Sequence, residues 1–117
     1  MATILIIDDE PMILNNLTQV LELAGFTVIA SLDGQAAVQI ARERAIDLVL
    51  CDMLMQATSG FQILQAIRQK PETAQTPFIF VTAVKWDLEV ETGASGYLFK
   101  PFTNDELLAV VHEHLGS

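Results

Sequence analysis

The sequence predicts a doubly wound α/β fold, a five-stranded parallel sheet in the order 2-1-3-4-5 with helices on both faces. Three observations predict it. Short, wholly apolar runs rich in β-branched residues, Ile4–Ile7, Leu48–Cys51 and Phe78–Val81, read as strands buried on both faces. Between them lie segments whose apolar residues recur at helical spacing. The two patterns alternate, which requires parallel strands joined by helical crossovers, and right-handed crossovers leave few topologies.

Each element has its own signal. After the Ile4–Ile7 strand, Pro11 opens a helix at a position where a missing N–H costs nothing. Ile13, Leu14, Leu17, Val20, Leu21 and Ala24 form its buried stripe and Gly25 ends it. Phe26–Ala30 is the second strand, and Asp33 caps a helix over Gly34–Arg44 with Ala37, Ile40 and Ala41 inward. After the Leu48–Cys51 strand, Ser59-x-x-Gln62 is a capping box for a helix through Ile63, Leu64, Ile67 and Arg68. Pro71 and Pro77 bracket a polar loop before the Phe78–Val81 strand, and Tyr97–Phe99 is the fifth. A second box, Thr103-x-x-Glu106, opens the final helix through Leu107, Leu108, Val110, Val111 and Leu115. The segment between the fourth and fifth strands is the weakest: Trp86, Leu88 and Val90 are spaced by two, so a shortened fourth helix is the most that fits.

Composition bounds the function. The 117 residues make one domain, spanning 1–117, and 51% hydrophobic residues suffice for a core. A net charge of −9 and a pI near 4.3 argue against direct nucleic-acid binding, which rests on Lys and Arg. They suit metal cations or basic partner patches, although most of the fifteen acids are read as plain solubility. No apolar run approaches the roughly 20 residues of a membrane span, and no signal peptide is expected. The single cysteine, Cys51, excludes an internal disulfide and fits a reducing, cytoplasmic setting. Two apart on a helix, His112 and His114 make a poor metal pair and are read as helix-end solvation.

The chemistry lies at the strand ends. The first strand runs into Asp8, Asp9 and Glu10, the third into Asp52, the fourth into Thr82 and the fifth into Lys100. In a parallel sheet these C-terminal ends share one edge, where open α/β sheets bind ligands. Clustered carboxylates repel, and a hard divalent cation such as Mg²⁺ resolves the repulsion. A carboxylate can also attack phosphorus and form an aspartyl phosphate, a reaction that needs mainly positioning and charge neutralisation. Asp52 is the candidate acceptor, with Lys100 and the Thr82 hydroxyl to neutralise the phosphoryl oxygens.

Asp8-Asp9, Asp52, Gly60 eight residues later, Thr82-Ala83 and the run Gly93-Ala94-Ser95-Gly96-Tyr97-Leu98-Phe99-Lys100-Pro101-Phe102 resemble the receiver domain of two-component response regulators, a flavodoxin-like family, over essentially the whole chain. The resemblance implies that Asp52 accepts a phosphoryl group from a histidine kinase or phosphotransfer protein. It implies that Asp9, Asp52 and the backbone carbonyl of Leu54 bind Mg²⁺, with Asp8 acting through a water. Lys100 would pair with the acceptor carboxylate and then the phosphoryl group. Thr82 and Tyr97 would be the switch pair, and the Lys100–Pro101 bond would be cis. The result would be a change in protein–protein interactions rather than enzymatic turnover. The downstream protein partner is left open, as is a homodimer, and no membrane partner is expected.

The sequence also departs from the family pattern. Gln56 stands where the family usually has proline, which predicts a less rigid loop after Asp52. The stretch from Thr82 to Gly93 is about four residues short, roughly one helical turn, which predicts an altered partner surface. Leu54 and Val84, apolar residues two beyond Asp52 and Thr82, are expected to hinder water and slow loss of the phosphoryl group. A phosphatase with an Asp nucleophile is the enzymatic alternative, but it wants an acid where Leu54 stands and a cap that no segment remains to build. A receiver-like interaction scaffold acting without phosphorylation is the other alternative; the intact acid–Thr–Lys set argues against it.

Overall fold

The apolar runs become the strands of a twisted parallel sheet. In the computed structural model, which describes residues 2–56, 58–83 and 93–115, the order along the chain is β1 (Thr3–Ile7), α1 (Pro11–Leu23), β2 (Thr27–Ser31), α2 (Gly34–Glu43), β3 (Leu48–Asp52), α3 (Gly60–Arg68), β4 (Phe78–Thr82), β5 (Gly96–Phe99) and α4 (Asn104–Leu115). The sheet order is β2-β1-β3-β4-β5 and every pairing is parallel, as expected from the sequence. The segment expected to hold the shortened fourth helix, with Val84 and Trp86, lies outside the described residues.

Local chemistry sets the boundaries. Pro11 stands at the first turn of α1. The helix closes at Gly25, where φ is +98°, a conformation glycine adopts without strain. There Gly25 N–H donates to the Glu22 carbonyl and Phe26 N–H to the Leu21 carbonyl. Because Phe26 is spent closing the helix, β2 begins one residue later than its hydrophobicity suggests. Asp33 accepts from Gln35 N–H at 2.9 Å to cap α2. Ser59 and Gln62 form the expected reciprocal box at α3, and Thr103 and Glu106 do the same at α4.

The helices bury two separate layers. Leu14, Leu17 and Leu21 of α1 and Leu107 and Val111 of α4 pack on Ile4, Ile6, Leu48, Leu50, Ile79, Val81 and Leu98. On the other face, Ala37 and Ala41 of α2 and Ile63, Leu64 and Ile67 of α3 pack on Leu5, Ile7, Val49, Cys51, Phe78 and Phe80. Each large apolar side chain so buried contributes about 1.5–3 kcal/mol. Of the two histidines of α4, His112 is exposed, as expected, while His114 is engaged. The His112 ring lies 5.6 Å from that of Phe26, and His114 places Nδ1 2.9 Å from the Val110 carbonyl oxygen and Nε2 3.2 Å from that of Ser95. That last contact docks the end of α4 on the start of β5. Among the described residues, no helix is long and apolar enough to cross a membrane.

Candidate functional site

The parallel topology brings the candidate residues to one edge. Asp8 and Asp9 follow β1 directly, Asp52 and Thr82 are the last residues of β3 and β4, and Lys100 follows β5. Both end residues are still in register, Asp52 opposite Val81 and Thr82 opposite Phe99, so the ladder itself fixes their positions. Asp8 and Thr82 are 1% exposed and Asp52 is 8% exposed. One carboxylate oxygen from each of Asp8, Asp9 and Asp52 lies within 4.8 Å of the others.

Buried carboxylates need compensation; Asp8 and Asp52 are buried and Asp9 half-buried, and each of the three has a backbone donor. Asp8 Oδ1 accepts from Glu10 N–H at 2.9 Å, Asp52 Oδ1 from Leu54 N–H at 3.3 Å, and Asp9 Oδ2 from Gln56 N–H at 3.0 Å. Lys100 Nζ lies 3.4 Å from Asp8 Oδ2. Its ion pair is therefore with Asp8 and not, as expected from the resemblance, with Asp52. The more deeply buried carboxylate has the greater need of the Lys100 ammonium. Burial pushes the Asp52 carboxyl above its ordinary value, and the charges of Asp8 and Asp9 add to the rise. Lys100 and the Leu54 N–H oppose it.

The donor set fits Mg²⁺. The clustered ligand atoms are all carboxylate oxygens, which suit hard cations. Among the described residues, three carboxylates facing the Lys100 ammonium leave two negative charges, the charge of one divalent ion. Cys51 is no soft competitor: it is buried, its Sγ lies 3.2 Å from the Asp52 carbonyl oxygen, and burial with the nearby Asp52 and Asp8 charges drives its thiol well up. The Leu54 side chain is 62% exposed at the mouth of the site. Tyr97 is half-buried on β5, its ring 5.9 Å from Phe80 and 6.2 Å from Phe99. The Lys100–Pro101 peptide bond is cis.

Gly60 has a structural reason that sequence alone did not supply. A Cβ there would stand 2.6 Å from the Asp52 carbonyl oxygen, 2.8 Å from Phe80 Cε1 and 2.9 Å from Met53 Cα. Its N–H donates to the Met53 carbonyl at 2.9 Å. The start of α3 is thus pressed against the backbone that carries Asp52, and only glycine leaves room.

Comparison with known proteins agrees with this geometry. Residues 4–112 match the family model of the response regulator receiver domain. The transcriptional regulatory protein CpxR of Escherichia coli is 40% identical over 113 residues, covering 93% of this chain and 47% of CpxR. The chain spans about half the length of the first curated relatives it matches. Chemotaxis protein CheY4 of Vibrio cholerae superposes with a TM-score of 0.93 at 28% identity, covering 98% of this chain and 99% of that one. Response regulator TrrA of Thermotoga maritima, solved in complex with Mg²⁺ and BeF, has a TM-score of 0.89 at 30% identity, with 98% and 100% covered.

Proposed function

This chain belongs to the response regulator receiver domain family, and on that premise we propose that it accepts a phosphoryl group on Asp52 and thereby switches its protein partners. Residues 1–117 act as one receiver domain. The observation that carries this reading is the meeting of Asp8, Asp9 and Asp52 within 4.8 Å at the sheet edge, beside Lys100.

A carboxylate oxygen of Asp52 attacks the phosphorus of a phosphohistidine on a histidine kinase or phosphotransfer protein. The O–P bond forms as the P–N bond breaks. The imidazole nitrogen leaves with the bonding pair and is protonated, and Asp52 becomes an acyl phosphate. Its burial leaves the carboxylate more basic than an exposed one, which favours attack. The Asp9 and Asp52 carboxylates and the Leu54 carbonyl would hold Mg²⁺, with Asp8 acting through a water, and the bound ion would supply charge neutralisation at the phosphoryl oxygens. Lys100 stands ready at the same edge and exchanges part of its hold on Asp8 for the phosphoryl oxygens. The Thr82 hydroxyl donates to a phosphoryl oxygen, and Tyr97, next along the sheet, follows it. Exposed Leu54 excludes water from the acyl phosphate and slows its hydrolysis; phosphoryl loss timed by intact mass should quicken in Leu54→Asn. The setting is cytoplasmic, which a lone buried thiol fits.

The deciding experiment incubates the chain with phosphoramidate and Mg²⁺ and records intact mass. One phosphoryl adduct should form, fail to form when EDTA is present from the start, and be absent in Asp52→Ala. An adduct that survives Asp52→Ala overturns the assignment.

A further inference from the structure

We propose that the backbone N–H of Gln56 is the positioning group for Asp9, fixing the β1 acid against the loop that follows Asp52 and so pre-assembling the metal-binding carboxylates. The inference rests on the reading of Asp9 and Asp52 as Mg²⁺ ligands and deepens it.

The three carboxylates are held in two different ways. Asp8 and Asp52 each accept from an N–H two residues further along their own turn, Glu10 and Leu54. Such a bond moves with its acid and sets no distance between strands. The bond to Asp9 is different in kind. Its donor, Gln56 N–H, lies 47 residues away in the loop between β3 and α3, and the N···Oδ2 distance is 3.0 Å. It therefore ties the end of β1 to the chain four residues past Asp52 and sets the Asp9–Asp52 separation directly. Lys100 contributes no such tie to Asp9, because its ion pair is with Asp8.

Met53 is fully buried and Met55 packs partly buried on the same layer, which anchors the first part of the loop. Gln56 itself is exposed, so apolar burial does not hold its amide in place. The hydrogen bond also offsets part of the repulsion among the three acids, and it uses one of about four acceptor positions on the Asp9 carboxylate, leaving the rest for a cation. Outer partners that orient ligating carboxylates are worth about 10–100-fold in metal affinity. A proline at position 56 lacks the N–H and cannot make the bond. The glutamine thus matters for its amide nitrogen rather than for its side chain.

The test compares substitutions that keep and remove that N–H. Mg²⁺ is titrated into ¹⁵N-labelled Gln56→Ala and Gln56→Pro proteins, with amide shifts as readout and no phosphodonor present. A third protein carries the α-hydroxy acid analogue of glutamine at position 56, which replaces the N–H by an ester oxygen without a proline ring. Gln56→Pro and the ester protein should bind Mg²⁺ about 10-fold or more weakly than Gln56→Ala. The ester protein keeps this test decisive if proline disturbs folding. Equal affinity in the ester protein and Gln56→Ala overturns the inference, and if Asp9→Ala still abolishes binding the metal reading stands without it. A parent chain whose amides do not respond to Mg²⁺ overturns both.

Discussion

Beneath α1 and α4 every fully buried core side chain is aliphatic, whereas beneath α2 and α3 the core holds Phe78 and Phe80. The second face continues as a line of rings. Phe61 lies 5.2 Å from Phe80, Phe80 5.9 Å from Tyr97, and Tyr97 6.2 Å from Phe99, all within the range of aromatic pairs. Side chains alternate along a strand. Asp52 therefore continues the row of Leu48 and Leu50, and Asp8 follows the row of Ile4 and Ile6. Thr82 instead continues the row of Phe78 and Phe80. Asp8 and Asp52 are rooted in the aliphatic layer and the Thr82 hydroxyl in the aromatic one. The contrast teaches how one sheet can root unlike side chains at one edge. The branched layer carries Asp8 and Asp52, and the ring line leads from the row of Thr82 toward the edge strand β5.

The largest expected effect tests that division. Phe80→Ala should cost about 3–5 kcal/mol and Leu107→Ala, in the other layer, about 2–5 kcal/mol, both read by urea denaturation. Similar costs should come with different reach. Phe80 touches the Phe61, Phe78 and Tyr97 rings and the ground beside Gly60. Its loss should shift the amide signals of Asp52, Gly60 and Tyr97, while Leu107→Ala leaves those three largely in place. Equal perturbation by the two variants would erase the distinction between the layers.

Much of this was legible in advance, for physical reasons. Strand order, helix positions and both capping boxes follow from hydrophobic period and capping chemistry, which are local. The convergence of Asp8, Asp9, Asp52, Thr82 and Lys100 follows from topology, because parallel strands must end together. Boundaries were less legible. Asp52 and Thr82 extend β3 and β4 because ladder pairing is a backbone property that polarity does not reveal. The bonds between distant loops were not legible at all. Nothing in Gln56 as a letter marks its N–H as the partner of Asp9, and the choice of Lys100 between two carboxylates depends on their relative burial. Gly60 was visible only as part of a pattern, and its cause, the closeness of Phe80 and the Asp52 carbonyl, is tertiary.

Two glycines sharpen the comparison at an intermediate scale. Both open helices over the aromatic layer, and both lack room for a Cβ. At Gly34 the nearest atom would be Ile63 Cδ1 at 2.7 Å, the far end of a flexible side chain. At Gly60 the obstacles include the Asp52 carbonyl oxygen and Met53 Cα, which are backbone and cannot rotate away. Gly60→Ala should therefore cost about 1–3 kcal/mol, the usual range for overpacking, and Gly34→Ala less, because Ile63 can change rotamer. Thermal unfolding ranks them. Gly60→Ala should also weaken the amide response to Mg²⁺, since the displaced atoms carry Asp52. A larger loss in Gly34→Ala would show that the α2–α3 contact, rather than the backbone carrying Asp52, is the tighter fit.

The smallest expected effect concerns the charge itself. Asp52 sits at the end of an aliphatic row with its carboxyl raised first by burial and then by Asp8 and Asp9. A raised folded value means that the folded state holds the proton more tightly than the unfolded chain. The stability linked to that proton is fully present below the ordinary carboxylate value and is lost as pH rises through the raised one. At neutral pH in EDTA the ionised Asp52 thus opposes folding, and Asp52→Asn, which keeps the shape without the charge, should melt at a higher temperature than the parent. Acidification should close the gap by protonating the parent. Mg²⁺ should close it from the other side by neutralising the cluster, raising the parent's Tm more than the variant's. Equal melting at neutral pH in EDTA would mean that Lys100 and the three backbone donors already compensate the acids in full. The aliphatic layer would then hold a relaxed site rather than one poised to take up a cation.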